Sequence, residues 1–353
     1  MKVLIIGGTR FLGKHLTRAL LKSNQEVTLL NRGTARNVFS YYDDVEWIVC
    51  DRHDEQKITS LLSKRSFDIV IDTCAYDLDE VSLVIRVLDD RIGRYIFCSS
   101  MAVAQNLSQQ NRMVLPIKNL RLFPASSTST YASNKSLIEE YLIEQHTRNG
   151  LPFVSIRPAE INGPGEVREW YYMDRIRSNR DKILVPGHGH NLVQPGYIDD
   201  IVQAFLLAIV KENAVGNCYN VTGDDIITLN EYIKMIADVC GREVEIVNIP
   251  YDIFKQLVNT KYFFPFCYKH SFIVDTDKIK NELGYQPEVG IKDGLRKTNL
   301  DWQDSYNKKS SPYGMHDLLS YDLEDLLISV WEKVSAHTNE LLRSELLEKG
   351  MLV

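Results

Sequence analysis

The chain has 353 residues, 44% apolar and 25% charged, the composition of an ordinary soluble globular protein long enough for one large domain or two linked lobes. Its 41 basic and 47 acidic residues leave a net charge of −6, which disfavours a general nucleic-acid or membrane-surface binder. No stretch approaches the roughly 18 apolar residues of a membrane span, and the first apolar run is too short for a signal peptide, so a cytoplasmic protein is expected.

Met1 to Ile6 reads as a short apolar strand, followed at once by Gly7-Gly8-Thr9-Arg10-Phe11-Leu12-Gly13 and a helix through Leu21. Strand, glycine turn and helix place backbone N–H groups and the helix dipole against a pyrophosphate. Gly7 permits the tight turn, Gly8 a close backbone approach, and Gly13 helix-to-strand packing. Further strands are expected at Glu26–Leu30, Val45–Cys50, Phe67–Asp72 and Arg94–Cys98, with helices between them from Ile58 and from Leu78. This alternation predicts right-handed βαβ units and a parallel sheet covered on both faces. Residues 105 to 130 are polar and read as a long loop.

A helix is expected from Tyr131 to about Gln145, then a strand Phe153–Arg157 ending in Pro158-Ala159-Glu160-Ile161-Asn162-Gly163-Pro164-Gly165. Such a loop lies at the carboxyl edge of the sheet, where open α/β sheets bind ligands. Glu166–Arg180 reads as a helix and Tyr197–Lys211 as a helix capped by Asp199 or Asp200. Cys218–Val221 reads as a strand rejoining the main sheet, and Leu229–Cys240 as a helix. The six cysteines (Cys50, Cys74, Cys98, Cys218, Cys240, Cys267) form no CxxC pair and are expected as reduced thiols.

Tyr131 and Lys135 lie four apart, on one helix face. A tyrosine loses its proton near pH 10, and an adjacent ammonium lowers that value. The phenolate can then accept a substrate hydroxyl proton while hydride leaves the same carbon. Ser100, at a strand end, can orient the reacting oxygen, with Ser99 the flanking alternative.

These features resemble the extended short-chain dehydrogenase/reductases, the group of nucleotide-sugar epimerases, dehydratases and reductases, over roughly residues 1–302. The resemblance rests on the glycine loop, Asp51, Ile71-Asp72-Thr73-Cys74-Ala75, Ser99-Ser100, Tyr131/Lys135, Arg157-Pro158, Gly163-Pro164-Gly165, Tyr197-Ile198-Asp199-Asp200 and Leu283-Gly284-Tyr285-Gln286-Pro287. It implies an α/β fold, a Rossmann-type doubly wound parallel sheet with a smaller C-terminal substrate-binding lobe. Residues 1–165 form the NAD(P)-binding domain, which 197–222 rejoin. Residues 166–196 and 223–302 form the substrate lobe, and 303–353 a helical extension left open between its own subunit and a partner, a homodimer included.

The resemblance further implies Ser100, Tyr131 and Lys135 as catalytic, with Tyr131 and Lys135 also touching the cofactor. Gly7, Gly8 and Gly13 hold the pyrophosphate together with Thr9, Arg10, Phe11 and Leu12. Asp51 faces the adenine beside Arg52, Cys74 and Ala75 line the nicotinamide ribose, and Pro158 joins this set. Asn31 and Arg32 stand where an acidic residue would hold the ribose hydroxyl of NAD. With Arg10 nearby, two guanidinium groups and no carboxylate favour the 2′-phosphate of NADP, NAD staying as the alternative.

Tyr76, Met101, Glu160, Asn162, Gln194 and Tyr197 are candidates for touching a sugar-like, nucleotide-activated substrate. Glu160 stands where many members carry asparagine, and is open to a second acid/base role, a hydroxyl contact or a solvated one. Sugar 4,6-dehydratases of the family carry an Asp-Glu pair after the strand-end hydroxyl residue; Met101-Ala102 stand there instead and count against that route. His188 and His190 have no third ligand at helpful spacing, so no metal is expected. Tyr171-Tyr172, Tyr262-Phe263-Phe264 and Phe266 are open to base stacking or core packing. The loop form Gly-Gly-Thr-Arg-Phe-Leu-Gly also resembles atypical members that include chloroplast stem-loop RNA-binding proteins. This leaves non-catalytic dinucleotide sensing or RNA binding as the rival to an oxidoreductase or epimerase.

Overall fold

The structure, a computed structural model, describes residues 1–39, 45–104, 130–257, 265–266, 271–307, 320–349 and 351. The expected loop at 105–130 lies almost wholly outside them, as do Tyr262, Phe263, Phe264 and Cys267. The chain divides into two compact units, the first built from described residues within 1–166, 192–227 and 270–304, the second from those within 167–191, 228–269 and 305–353.

The first unit carries β1 (Lys2–Ile6), α1 (Phe11–Lys22), β2 (Glu26–Asn31), β3 (Val45–Val49), α2 (Glu55–Leu62), β4 (Phe67–Asp72), α3 (Leu78–Leu88), β5 (Ile92–Cys98), α4 (Thr130–Asn149), β6 (Phe153–Pro158), α5 (Ile198–Val210) and β7 (Asn217–Val221). Among the described residues, these seven strands form one parallel sheet in the order β7-β6-β5-β4-β1-β2-β3. The chain runs outward from β1 through β2 to β3, then crosses back to β4 on the other side of β1. That reversal opens a crevice at the carboxyl ends of β1 and β4, where doubly wound sheets bind ligands.

The apolar strand runs follow from coverage on both faces. Val3 and Ile5 of β1 pack with Leu16 and Leu20 of α1 and with Ile201 and Phe205 of α5. The alternate residues Leu4 and Ile6 pack with Ile58 of α2, Val84 of α3 and Ile138 of α4. A period of two on the strand thus feeds two separate cores.

Charged residues lock helices to this sheet. Arg94 of β5 donates through Nη1 to the carbonyls of Ala208, Ile209 and Lys211 at 2.8, 2.8 and 3.1 Å, satisfying the last turn of α5. Arg157 of β6 meets Glu139 of α4 at 2.6 Å, and Ser155 donates to the same carboxylate at 2.7 Å. The expected side-chain cap of the helix after Tyr197 is not made. Asp199 pairs with His15, and the Asp200 carboxylate accepts the N–H groups of Glu288 and Val289 at 3.0 and 3.1 Å.

Those last contacts explain a difference in domain boundaries. Residues 271–304 do not stay with a lobe spanning 223–302 but return to the first unit. Ile279, Leu283 and Tyr285 enter its core, and the Tyr285 hydroxyl donates to the Thr222 carbonyl at 3.0 Å.

The second unit holds the parallel pair Lys182–Pro186 and Glu245–Ile249 with helices Val167–Arg177, Leu229–Val239, Tyr251–Leu257 and Tyr321–Glu348. The C-terminal extension belongs to it: Leu327 and Ile328 join Leu184, Val247, Ile249 and Phe254. Glu324, fully buried, pairs with Arg175 at 2.9 Å and accepts the Leu184 N–H. Tyr171, Tyr172 and Phe266 are buried packing residues rather than exposed stacking platforms. Cys50, Cys74, Cys98, Cys218 and Cys240 are free thiols. No helix among the described residues is long and apolar enough to cross a membrane.

Candidate functional site

The site is built on the first unit at the carboxyl ends of β1, β4 and β5. Gly7 and Gly8 take φ of +101° and +79°, values that favour glycine. A Cβ on Gly7 would sit 2.5 Å from Thr73 Oγ1, and one on Gly13 would sit 2.8 Å from the Gly8 nitrogen. The Thr17 hydroxyl ties the turn to α1 by donating to the Gly8 and Gly13 carbonyls. The first turn of α1 has no acidic residue and no side-chain cap, which leaves its N–H groups suited to an anion. The cradle fits a dinucleotide pyrophosphate.

Around this cradle the expected residues divide. Thr9 and Phe11 are half-buried at the mouth of α1, while Leu12 turns into the core. Arg10 and Arg32 are exposed, and among the described residues neither enters an ion pair. Asn31 braces the turn: its Nδ2 donates to the Gly7 carbonyl at 3.0 Å and its Oδ1 accepts the Gly33 N–H at 2.8 Å. Asp51 is exposed at the end of β3. Pro158 is buried at the end of β6, beside Val221 of β7.

Arg52 is turned inward. Its guanidinium grips Asp72 through two bonds of 3.0 and 2.7 Å, and Nε lies 3.3 Å from Glu80. Tyr95 donates its hydroxyl to Asp72 at 2.9 Å, and the Cys74 N–H binds the same carboxylate at 3.1 Å. Burial acts to raise the Asp72 pKa, but Arg52 and these hydrogen bonds outweigh it and hold the carboxyl below the usual carboxylate range. The Cys74 thiol, 3.3 Å from Arg52, is pushed up to about 11 by burial and by Asp72. Glu80 then accepts the N–H groups of Tyr76 and Asp77 at 2.6 and 3.1 Å, fixing the turn that carries Cys74, buried Ala75 and exposed Tyr76.

Lys135 is brought to this turn from α4. It is 3% exposed and donates to the Cys98 carbonyl at 2.7 Å, at the end of β5. Its Nζ lies 5.7 Å from the centre of the Tyr131 ring, so the pair does share one helix face. Burial pulls the Lys135 ammonium below its ordinary value. Ser100 is half-buried two residues beyond Cys98, its Oγ accepting the Ala102 N–H at 3.1 Å. The Ser99 hydroxyl faces away from solvent, 3% exposed, in the flanking register.

Several substrate candidates are structural. Met101 packs with Ala104 and Val274. Gln194 spends both ends of its amide, donating to the Gly223 carbonyl at 2.9 Å and accepting the Val274 N–H at 2.8 Å. Tyr197 is 3% exposed and lies within 4 Å of where Gly163 and Gly294 would carry a Cβ. Asn162 is buried and Glu160 half-buried in the loop after β6. His188 and His190 are exposed in the second unit. No cluster of three or more His, Cys, Asp or Glu side chains placed to hold a metal exists among the described residues. Sequence reasoning passed over Glu80, Glu139 and His15. His15 bridges Asp199 and the Pro164 carbonyl at 3.3 Å each, joining α1 to the loop after β6.

A parallel doubly wound sheet with a glycine cradle at β1 and a tyrosine–lysine pair at β5 is the plan of a dinucleotide-dependent short-chain dehydrogenase/reductase. The profile of the NAD dependent epimerase/dehydratase family matches residues 3–222, and the chain belongs to that family, the extended short-chain dehydrogenase/reductase type. The chloroplast stem-loop binding protein of 41 kDa b from Arabidopsis thaliana is 29% identical over 90% of this chain and 84% of its own length. A dTDP-glucose 4,6-dehydratase from Streptomyces niveus is 25% identical over 86% of this chain and 92% of its own. The fold matches a UDP-glucuronic acid 4-epimerase from Bacillus cereus solved with NAD, at a TM-score of 0.71 and 18% identity, over 88% and 99% of the two chains.

The Asp72 linkage has a stability consequence. A carboxyl lowered in the folded state stabilises above its unfolded value, about pH 4, and that contribution is lost as pH falls through the lower folded value. Arg52→Met, which leaves Asp72 buried without its counter-charge, should cost about 3–5 kcal/mol at pH 7. In urea unfolding the gap from the unmutated protein should narrow at acid pH, where the variant's Asp72 takes up a proton.

Proposed function

We propose that this chain is an NAD(P)-dependent oxidoreductase or epimerase acting on a hydroxyl of a sugar-like, nucleotide-activated substrate. Tyr131 is the acid/base, Lys135 its electrostatic partner and Ser100 the group that orients the reacting oxygen. The observation that carries this reading is the buried Lys135 ammonium, 5.7 Å from the Tyr131 ring and tied to the strand end that bears Ser100. A lysine at 3% exposure that enters no ion pair among the described residues is costly to bury, and a role beside a phenolate accounts for it.

The dinucleotide supplies the hydride acceptor and donor. Tyr131 takes the proton of the substrate hydroxyl as that carbon is oxidised to a ketone, and returns it to the oxygen on reduction. Hydride returned by a bound dinucleotide to the same face would restore the alcohol, and to the opposite face would give the epimer. Lys135 favours the phenolate through a dry medium, where charge acts more strongly than in water. Elimination needs a second proton-transfer pair after the strand end, and core-bound Met101 with Ala102 offers none. Tyr131→Phe should reduce turnover of the native substrate by at least about 100-fold, the order of one lost general acid/base, with cofactor affinity retained. Full turnover in that variant rules the assignment out.

For the cofactor we favour NADP. Two exposed guanidinium groups, Arg10 at the glycine turn and Arg32 at the end of β2, support this reading, and Asn31 offers the ribose no carboxylate. The NAD in the Bacillus cereus neighbour belongs to that protein. Titration of Arg10→Gly should show NADP weakened by about tenfold or more and NAD weakened little; equal losses return the choice to NAD.

The stem-loop binding relative raises a nucleic-acid role, which the net charge of −6 and the tyrosine–lysine site disfavour. Titration with a structured RNA at physiological salt should show binding no tighter than the roughly 1–100 µM non-specific range. Tighter binding with a steep salt dependence would reinstate that role.

A further inference from the structure

Tyr76 is the largest exposed side chain on the turn after β4, 56% exposed although its own N–H is fixed on Glu80. A single exposed aromatic ring needs no explanation. Its placement does. The Tyr76 ring lies 5.9 Å from the Tyr131 ring, tilted by 50°. The Lys135 ammonium lies 5.4 Å from the centre of Tyr76, 4.7 Å from Phe97 and 5.7 Å from Tyr131. Three rings and the Cys98 carbonyl therefore surround one cation, all within the reach at which a ring face attracts a positive charge.

We propose that Tyr76 is a positioning residue of this site, its ring forming the outer wall of an aromatic enclosure that keeps Lys135 charged and dry beside Tyr131. The inference rests on the reading of Tyr131 and Lys135 given above. Phe97, at 0% exposure, is the inner wall and part of the core, whereas Tyr76 is the wall that faces solvent. A ring face holds an ammonium without consuming an N–H donor, so the bond to Cys98 leaves donors available for the phenolate.

Loss of the outer ring acts twice in the same direction. The ammonium loses an attractive face, and water enters to screen its effect on Tyr131. Tyr131 is already 41% exposed, so added water solvates its phenolate little further, and the net effect is a phenolate harder to form. The Tyr76 hydroxyl has no part in either effect, so phenylalanine should serve as well as tyrosine. This separates an enclosing ring from a hydrogen-bonding or purely structural residue.

The test is an ultraviolet titration of phenolate in the full chain, with and without NADP. Each protein is compared with its Tyr131→Phe counterpart to isolate the Tyr131 signal. Tyr76→Leu should move the Tyr131 ionisation upward by about half a pH unit or more, and Tyr76→Phe should leave it in place. In parallel, an amine-acylating reagent should modify Lys135 faster in Tyr76→Leu. An unmoved Tyr131 in Tyr76→Leu, or an equal shift in Tyr76→Phe, overturns the proposal. If Tyr131 of the unmutated protein titrates no lower than an ordinary tyrosine, the tyrosine–lysine reading itself falls, an outcome visible before any Tyr76 variant is made.

Discussion

One buried carboxylate organises the ligand-binding edge of the sheet. Asp72 closes β4 at 0% exposure, next to the strand where the chain reverses direction. A lone charge there would be prohibitive, and the cost is met by two bonds from Arg52, the Tyr95 hydroxyl and the Cys74 N–H. Each partner comes from a different element: the end of β3, the middle of β5 and the turn after β4. The place where an adenine is expected is thereby tied to the place where a nicotinamide ribose is expected. Apolar residues of similar volume can match the stability of such a cluster, yet they would release the turn that Glu80 and Asp72 hold from both ends.

The same device recurs around the site. Glu139 and Arg157 fasten α4 to β6, one helical turn beyond Lys135 on the same buried stripe. His15 fastens α1 to the loop after β6. These polar links tie helices and the binding-edge loop to the sheet beneath the tyrosine–lysine pair and the glycine cradle. Precision of this kind depends on the groups that support a site as much as on the groups that touch a ligand.

Much of this was legible in the sequence. The first thirteen residues gave strand, turn and helix because glycine alone tolerates the φ values and close approach found at Gly7 and Gly8. Parallel strands were readable because burial on both faces leaves continuous apolar runs. Side-chain commitments were less legible. Arg52 and Asn31 stand at the right strand ends, but whether a guanidinium or amide faces a ligand or a neighbour depends on tertiary partners such as Asp72 and the Gly7 carbonyl. The amide of Gln194 and the side chain of Met101 likewise engage neighbours that the sequence does not reveal. The boundary near residue 270 was hidden because the contacts that return Tyr285 and Glu288 to the first unit join residues 63 and 88 apart in sequence.

The burial of the central pair is unequal, and the inequality carries a mechanistic meaning. Tyr131 is 41% exposed and Lys135 3%, although four residues on one helix separate them. A group that exchanges protons with a substrate must stand where the substrate arrives. The charge that tunes it acts more strongly through a medium that excludes water. Placing the lysine one turn deeper meets both requirements on a single helix, and the cost of burying its ammonium is offset by ring faces, the Cys98 carbonyl and the field of buried Asp72. Asp72 is itself engaged by Arg52, Tyr95 and the Cys74 N–H, and among the described residues it forms no ion pair with Lys135. On the proposed reading, an ammonium held by ring faces and a carbonyl keeps its charge directed at Tyr131.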